Sequence, residues 1–416
     1  MNHDRILAKG RYITNDAFAS GLNNNDLIIG ATGAGKTTSY VSPNIEQRYG
    51  SMVVADTKGR LERLHRAALE ADGYRVCCLD FTDVNRSSGY NPLDCIVREG
   101  PLGYREQDVN TVAEAIVPLL SKSDPYWSES ARTVVKSLIA YTLEALPPEE
   151  QHLGSVMEMY PLISTKQGAK LFALLEEDCP KSYAVRLYHL YENVFGADKT
   201  WSCISQFVGE ALQVFAYEGA RRMFAEAPDF RIEDLALQRM ALFVNISDTD
   251  RSMDRLANIF YGQLFHGLCR EADRTPDGRL PVPVHVYLDD FASNVCIPNF
   301  PGLISVIRSR NLSVSLMIQN LTQLETMYSP EQAETIVSNC DHVLVMGACN
   351  DLKTANYVGT RARKPPESIM MLPRDKVYIL ERGSEAVLAP RAAPVYSVPR
   401  VTAECVPDEV KAPALE

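Results

Sequence analysis

The most specific chemistry in this chain lies in Gly30-Ala31-Thr32-Gly33-Ala34-Gly35-Lys36-Thr37, which fits the pattern G-x-x-x-x-G-K-[ST] at every position. Glycines allow the backbone to turn successive N–H groups inward and form an anion cradle at a helix N-terminus. Lys36 would place a positive charge on the outer phosphates, and the Thr37 hydroxyl is a natural Mg²⁺ ligand. Gly30, Thr32, Gly33, Ala34, Gly35, Lys36 and Thr37 are therefore predicted to hold the phosphates of ATP. The competing reading is a chance Gly-rich turn. An apolar strand before the motif and a helix predicted from Lys36 count against it.

A second site follows from Val284-His285-Val286-Tyr287-Leu288-Asp289-Asp290-Phe291, an apolar strand that ends in two acids. Beside a phosphate loop, the first acid can hold Mg²⁺ and the second can polarise an attacking water. Asp289 is assigned to the metal and Asp290 to the water. Alone, the pair would read as an acidic turn after a buried strand. Gln319, at the end of the next predicted strand, is placed to sense the γ-phosphate. Arg308 and Arg310 precede that strand. An arginine projecting to a neighbouring subunit's nucleotide would supply transition-state charge, whereas surface arginines at a helix end would only complement its dipole. Spacing alone leaves both readings open.

These residues need a frame. Asp26 to Gly30, Ser51 to Asp56 and Tyr74 to Phe81 are continuous apolar runs, the pattern of strands buried on both faces of a parallel sheet. From about 105 to 235 the periodicity is helical: Val109, Val112, Ile116, Leu119 and Leu120; Val134, Val135, Leu138, Ile139 and Leu143; Leu171, Leu174 and Leu175; Leu187, Tyr188 and Tyr191. Strand patterns return at Ala241 to Ile246, Val284 to Phe291, Ser313 to Gln319, His342 to Gly347 and Lys376 to Leu380. The predicted fold class is α/β: a phosphate-loop ATPase domain with a mostly parallel sheet, interrupted by an all-α domain. The expected divisions are 1–104, the first part of the nucleotide-binding domain; 105–235, the helical insert; 236–388, the second part; and 389–416, a Pro/Ala-rich tail, flexible or extended on the surface.

Length and charge bound the function. The chain has 416 residues, 46% of them hydrophobic and 23% charged, with a formal net charge of -11. An acidic total argues against a protein that coats nucleic acid non-specifically, but not against a local basic channel. Residues 351 to 400 hold nine Lys/Arg against five Asp/Glu, with Arg361, Arg363 and Lys364 clustered after a predicted helix. That cluster is a candidate DNA contact; a solvated loop is the alternative. Ten cysteines show no metal-site spacing and read as reduced thiols. No apolar run reaches the ~18 residues needed to span a bilayer.

Taken in order, NDLIIGATGAGKTTSYVSPNI, SMVVADTKGRL, GYNPLD, HVYLDDFA, SVIRSRNLSVSLMIQNLTQLE and SNCDHVLVMG resemble the type IV coupling proteins, the TraG/TraD-type ATPases of conjugation and type IV secretion. Asp124-Pro125-Tyr126-Trp127 with Ala131-Arg132 is similar to the way their helical insert opens. The resemblance implies a RecA-like domain split by that insert. It also implies a homo-hexameric ring at the cytoplasmic face of the bacterial inner membrane, with a monomer in dilute solution left open. The implied partners are a relaxase or relaxosome with its DNA strand and the type IV secretion machinery. ATP and Mg²⁺ are the implied cofactors, with nucleotide contacts from Gly33 to Thr38, Asp289 and Asp290 the Walker B carboxylates, Gln319 the sensor, and Arg308 the arginine acting in trans. Two departures stand out. Relatives usually carry Asp-Glu at the acid pair, so the second carboxylate here is shorter. They also usually begin with two transmembrane helices, so an anchor is expected to have been removed or to come from a membrane partner.

Two other functions remain open at this level. One is a DNA-pumping ATPase of the FtsK/HerA kind, against which the insert and GYNPLD count. The other is an adaptor that recruits protein substrates and uses nucleotide only as a conformational switch.

Overall fold

A computed structural model describes residues 4–118, 125–291 and 296–396. Leu119, Leu120 and Asp124 of the predicted insert, Ala292, and the tail from 397 lie outside the described residues. The apolar runs form strands β3 (Asp26–Ile29), β4 (Ser51–Asp56), β5 (Arg75–Asp80), β6 (Met240–Asn245), β7 (Val284–Leu288), β8 (Leu312–Ile318), β9 (His342–Met346) and β10 (Lys376–Glu381). With β11 (Val387–Pro390) they make one nine-stranded sheet, in the order β11-β10-β9-β3-β8-β7-β4-β6-β5. The strands from β9 to β5 in this order pair in parallel, and β10 and β11 add an antiparallel edge.

The parallel strands are buried because helices cover both faces. All residues of β3, β4, β6, β7 and β9 are buried. On one face runs the 20-residue helix Asp254–Asp273, with Leu256, Phe260, Leu264 and Leu268 fully buried. On the other lies Arg60–Ala71, whose first turn is capped by Asp56 at the end of β4. Its carboxylate accepts the N–H groups of Leu61 and Glu62 at 2.6 and 3.3 Å.

The helical segment leaves after β5 and returns into β6, which lies between β4 and β5. Its centre is the helix Tyr126–Ala145, whose Val134, Val135, Leu138 and Ile139 have no exposed surface. That helix packs on Tyr183–Tyr191 and Asp198–Leu212. Phe172 and Tyr188 stack beside it with centroids 4.2 Å apart. Truncating Leu138 to alanine here would cost about 2–5 kcal/mol. Among the described residues its apolar side chains are continuous with those under the sheet. GYNPLD forms part of the joint. The Tyr90 hydroxyl donates to Gln263 Oε1 at 2.7 Å, and Gln263 donates in turn to the Pro92 carbonyl at 2.8 Å.

Two features have no counterpart in the sequence reading. Arg5–Ala8 and Arg11–Ile13 form a hairpin, β1 and β2. It delivers the Arg5 guanidinium, 2% exposed, to Asp26 at 2.5 Å. Burial alone would push the Asp26 carboxyl up; Arg5, and His342 at 3.1 Å, hold it well below the carboxylate range. The second feature is β11. The segment read as a weakly patterned tail from 389 begins inside this edge strand, because Val387 to Pro390 find free backbone partners along β10.

Candidate functional site: a phosphate cradle between two parallel strands

Every parallel strand points its carboxyl end at the same edge of the sheet. There β3 runs into the loop Gly30–Lys36, flanked by β8 and β9. The Gly30 N–H donates to Ile318 O at 3.1 Å, which fixes the loop's entry. Gly33 and Gly35 adopt φ +78 and +90, a region an L side chain enters only with strain. Gly30 is required for a different reason: a Cβ there would sit 2.9 Å from the Met346 carbonyl. The first turn beyond the loop, Thr37–Val41, is a wide π turn that continues into Ser42–Ile45, so the helix predicted from Lys36 is present with a widened start.

Lys36 is 7% exposed and its Nζ donates to the Gly30 carbonyl at 2.7 Å, folded back along the loop. Burial pushes its pKa below the usual lysine value, against the upward pull of Asp290 and Asp289. The Thr37 hydroxyl donates to Asp289 Oδ2. Burial, with Asp290 adding repulsion, raises the Asp289 carboxyl to about 6 despite the bond from Thr37 and the charge of Lys36. A hydroxyl and a carboxylate short of counter-charge form the oxygen donor set of a divalent cation, so the residues present fit Mg²⁺. Asp290 holds φ 49 and its N–H donates to Asp289 Oδ1 at 3.1 Å. Gln319 follows β8, the strand between the loop's strand and that of the acids. Four sequence-predicted elements, the loop, Thr37, the acid pair and Gln319, thus converge on one edge.

Arg308 does not join them. It precedes β8, and its guanidinium donates to the Gly21 carbonyl at 2.8 Å at the opposite edge of the sheet. The seven residues of β8 separate the two edges by roughly 20 Å. Arg308 therefore cannot serve its own subunit's loop. Arg310 is paired with Asp273 at 2.9 Å. Among the DNA candidates, Arg361 lies on Tyr357, donating to its hydroxyl at 2.9 Å, and Arg363 pairs with Glu385 at 3.6 Å, both highly exposed. Lys364 follows them, its N–H donating to Gly359 O at 2.9 Å.

A concavity of about 310 Å³ lies elsewhere, lined by Cys95, Asp108, His266 and Arg270. Arg270 and Asp108 there neutralise each other at 3.3 Å.

Sequence reasoning missed one group at the phosphate edge. Arg391 donates from Nη1 to the Ala34 carbonyl at 2.5 Å. Neither spacing nor periodicity marks it; only the path of β11 brings it there.

Residues 2–362 match the family model described as type IV secretory system conjugative DNA transfer. Curated relatives include the VirD4 proteins of Agrobacterium fabrum (strain C58) and Rhizobium radiobacter, each 24% identical over 353 residues and 84% of this chain. The chain spans about half the length of these relatives, 50% and 48% respectively. In fold it is similar to the plasmid coupling protein TrwB in complex with ADP and Mg²⁺, with TM-score 0.71 and 17% identity, covering 95% of this chain and 90% of that one. It is more distantly similar to VirB4 of Thermoanaerobacter pseudethanolicus, with TM-score 0.57 and 15% identity over 94% of this chain and 96% of that one.

Proposed function

Because this chain belongs to the type IV secretory system conjugative DNA transfer family, we propose that it is an ATP-driven coupling protein that recruits relaxase-bound DNA or protein and feeds it into a type IV secretion channel. The observation that carries the enzymatic part is the meeting of Lys36, Thr37, Asp289 and Asp290 at one sheet edge. The likeness to TrwB bound to ADP and Mg²⁺ supports ATP and Mg²⁺ as the cofactors.

The loop's N–H groups bind the phosphates, and Lys36 turns from the Gly30 carbonyl to the outer ones. Thr37 and Asp289 would hold Mg²⁺, which would supply neutralisation of phosphate charge. Asp290 orients the attacking water and accepts its proton, and Gln319 senses the γ-phosphate. Arg308, remote from its own loop, supplies transition-state charge to the neighbour in a hexameric ring. The helical segment 105–235 engages cargo. Arg361, Arg363 and Lys364 contact DNA phosphates, through Arg361 and Lys364 first because Arg363 is paired with Glu385. No helix among the described residues is long and apolar enough to cross a membrane. Placement at the inner face of the membrane follows from the coupling-protein reading.

Lys36→Ala should abolish turnover and weaken ATP binding. Steady-state ATPase assays at several protein concentrations, with and without single-stranded DNA, test both halves of the reading. Unchanged turnover in the mutant removes the phosphate-loop assignment. DNA-independent turnover by wild type would favour the adaptor.

A further inference from the structure

The antiparallel edge of the sheet has a consequence for the phosphate loop. β10 runs opposite to β9, and β11 opposite to β10, so the end of β11 emerges at the same edge as the loop. Pro390 pairs with Lys376, the first residue of β10. The chain then turns back across the ends of β10 and β9. Two backbone bonds pin it: the Arg391 N–H donates to Asp375 O at 2.7 Å, and the Val395 N–H to Thr38 O at 2.9 Å. The second bond lies in the first turn of the phosphate-loop helix.

Between these pins the Arg391 side chain lies against the loop. Nη1 donates to Ala34 O at 2.5 Å, and a Cβ at Gly35 would stand 2.6 Å from the same nitrogen. Gly35 therefore lacks a side chain for two reasons, its φ of +90 and the guanidinium packed on it. A guanidinium carries five N–H donors. Here one is used by a neutral carbonyl, and among the described residues no carboxylate pairs with Arg391. An arginine with no counter-ion among the described residues, half-buried on the wall of an anion cradle, is a cation available to an anion.

We propose that Arg391 is a nucleotide-binding residue. Its guanidinium leaves the Ala34 carbonyl to contact the phosphate chain of a bound nucleoside di- or triphosphate, and the 391–396 segment is drawn down with it. This rests on the loop's binding of nucleotide but adds a second cation, from the far end of the chain, to Lys36. A charge-assisted hydrogen bond of this type is worth roughly a 10- to 100-fold change in affinity.

The test measures the Kd of the whole chain for ADP, with Mg²⁺ present, by titration calorimetry, and the KM and kcat for ATP. Arg391→Ala should weaken ADP by about 10- to 100-fold and raise KM with little change in kcat, since ground and transition states lose the contact equally. Arg391→Lys should recover part of the affinity, and Arg391→Met, which keeps the side chain's packing, should not. Equal Kd in wild type, Arg391→Ala and Arg391→Met overturns the proposal, as does tighter binding by Arg391→Ala, which would mean that the segment obstructs the site. Absence of ADP binding by wild type would instead defeat the phosphate-loop reading itself.

Discussion

The Thr37 hydroxyl donates to the Asp289 carboxylate although 252 positions separate them in the chain. β8 lies between their strands, so the two can meet only if the sheet is assembled in its full order. This contact joins the phosphate loop to the acid pair. Asp289→Asn should leave the fold intact and remove most of the Mg²⁺ enhancement of ADP affinity, because a neutral amide is a much poorer ligand for a hard cation. Thr37→Ala should act in the same direction. Calorimetric titration of ADP with Mg²⁺ and with EDTA checks both. Undiminished Mg²⁺ enhancement in Asp289→Asn would move the metal to other ligands.

Asp290 should separate binding from chemistry. Asp290→Asn keeps size and tolerates the left-handed backbone, φ 49, at this position. It should bind ATP nearly as wild type does and lose turnover by about 10²–10⁴-fold, the usual worth of a general base. Turnover within a few-fold of wild type would exclude Asp290 as the base.

Arg308 tests the ring. Because its guanidinium sits at the Gly21 edge, remote from its own loop, any catalytic effect must cross a subunit boundary. Arg308→Ala should bind ATP nearly normally and hydrolyse it poorly. Mixed with Lys36→Ala, itself inactive, it should regain activity, since some intact loops would then face intact arginines. If the two inactive proteins co-assemble without recovery, the arginine does not act in trans. An effect on stability within about 0.5 kcal/mol and none on turnover would mark it as a surface residue.

A pH signature should come from His285. Its ring bonds Ser313 and Ser315 Oγ, each at 2.7 Å. Burial, followed by the nearby Arg5, lowers its pKa to about 3. The unfolded chain takes up this proton near pH 6.5, whereas the native protein refuses it until about 3. Stability from this residue is therefore complete above about pH 6.5 and is lost as pH falls, by up to about 1.4 kcal/mol per pH unit. Urea unfolding between pH 4 and 7 should show a steeper slope in wild type than in His285→Gln. Identical slopes would assign the acid sensitivity to another group.

The local chemistry is written in contiguous residues. Gly30 to Thr37 is contiguous, so its residue types carry the cradle whatever surrounds them, and backbone φ at Gly33 and Gly35 is a local property. The strands were legible for a related reason: a parallel strand covered on both faces must be apolar throughout. The acid pair was legible because it ends such a strand. Relationships between distant segments emerge only in the folded chain. Strand order put Asp289 against Thr37 and placed Arg308 at the opposite edge. The hairpin that buries Arg5 on Asp26, and the edge strand that carries Arg391 to Ala34, are short and mixed in character. Their residues are held by partners contributed from elsewhere, the carboxylate of Asp26 and the open backbone of β10, and no periodicity within a segment encodes a partner that lies outside it.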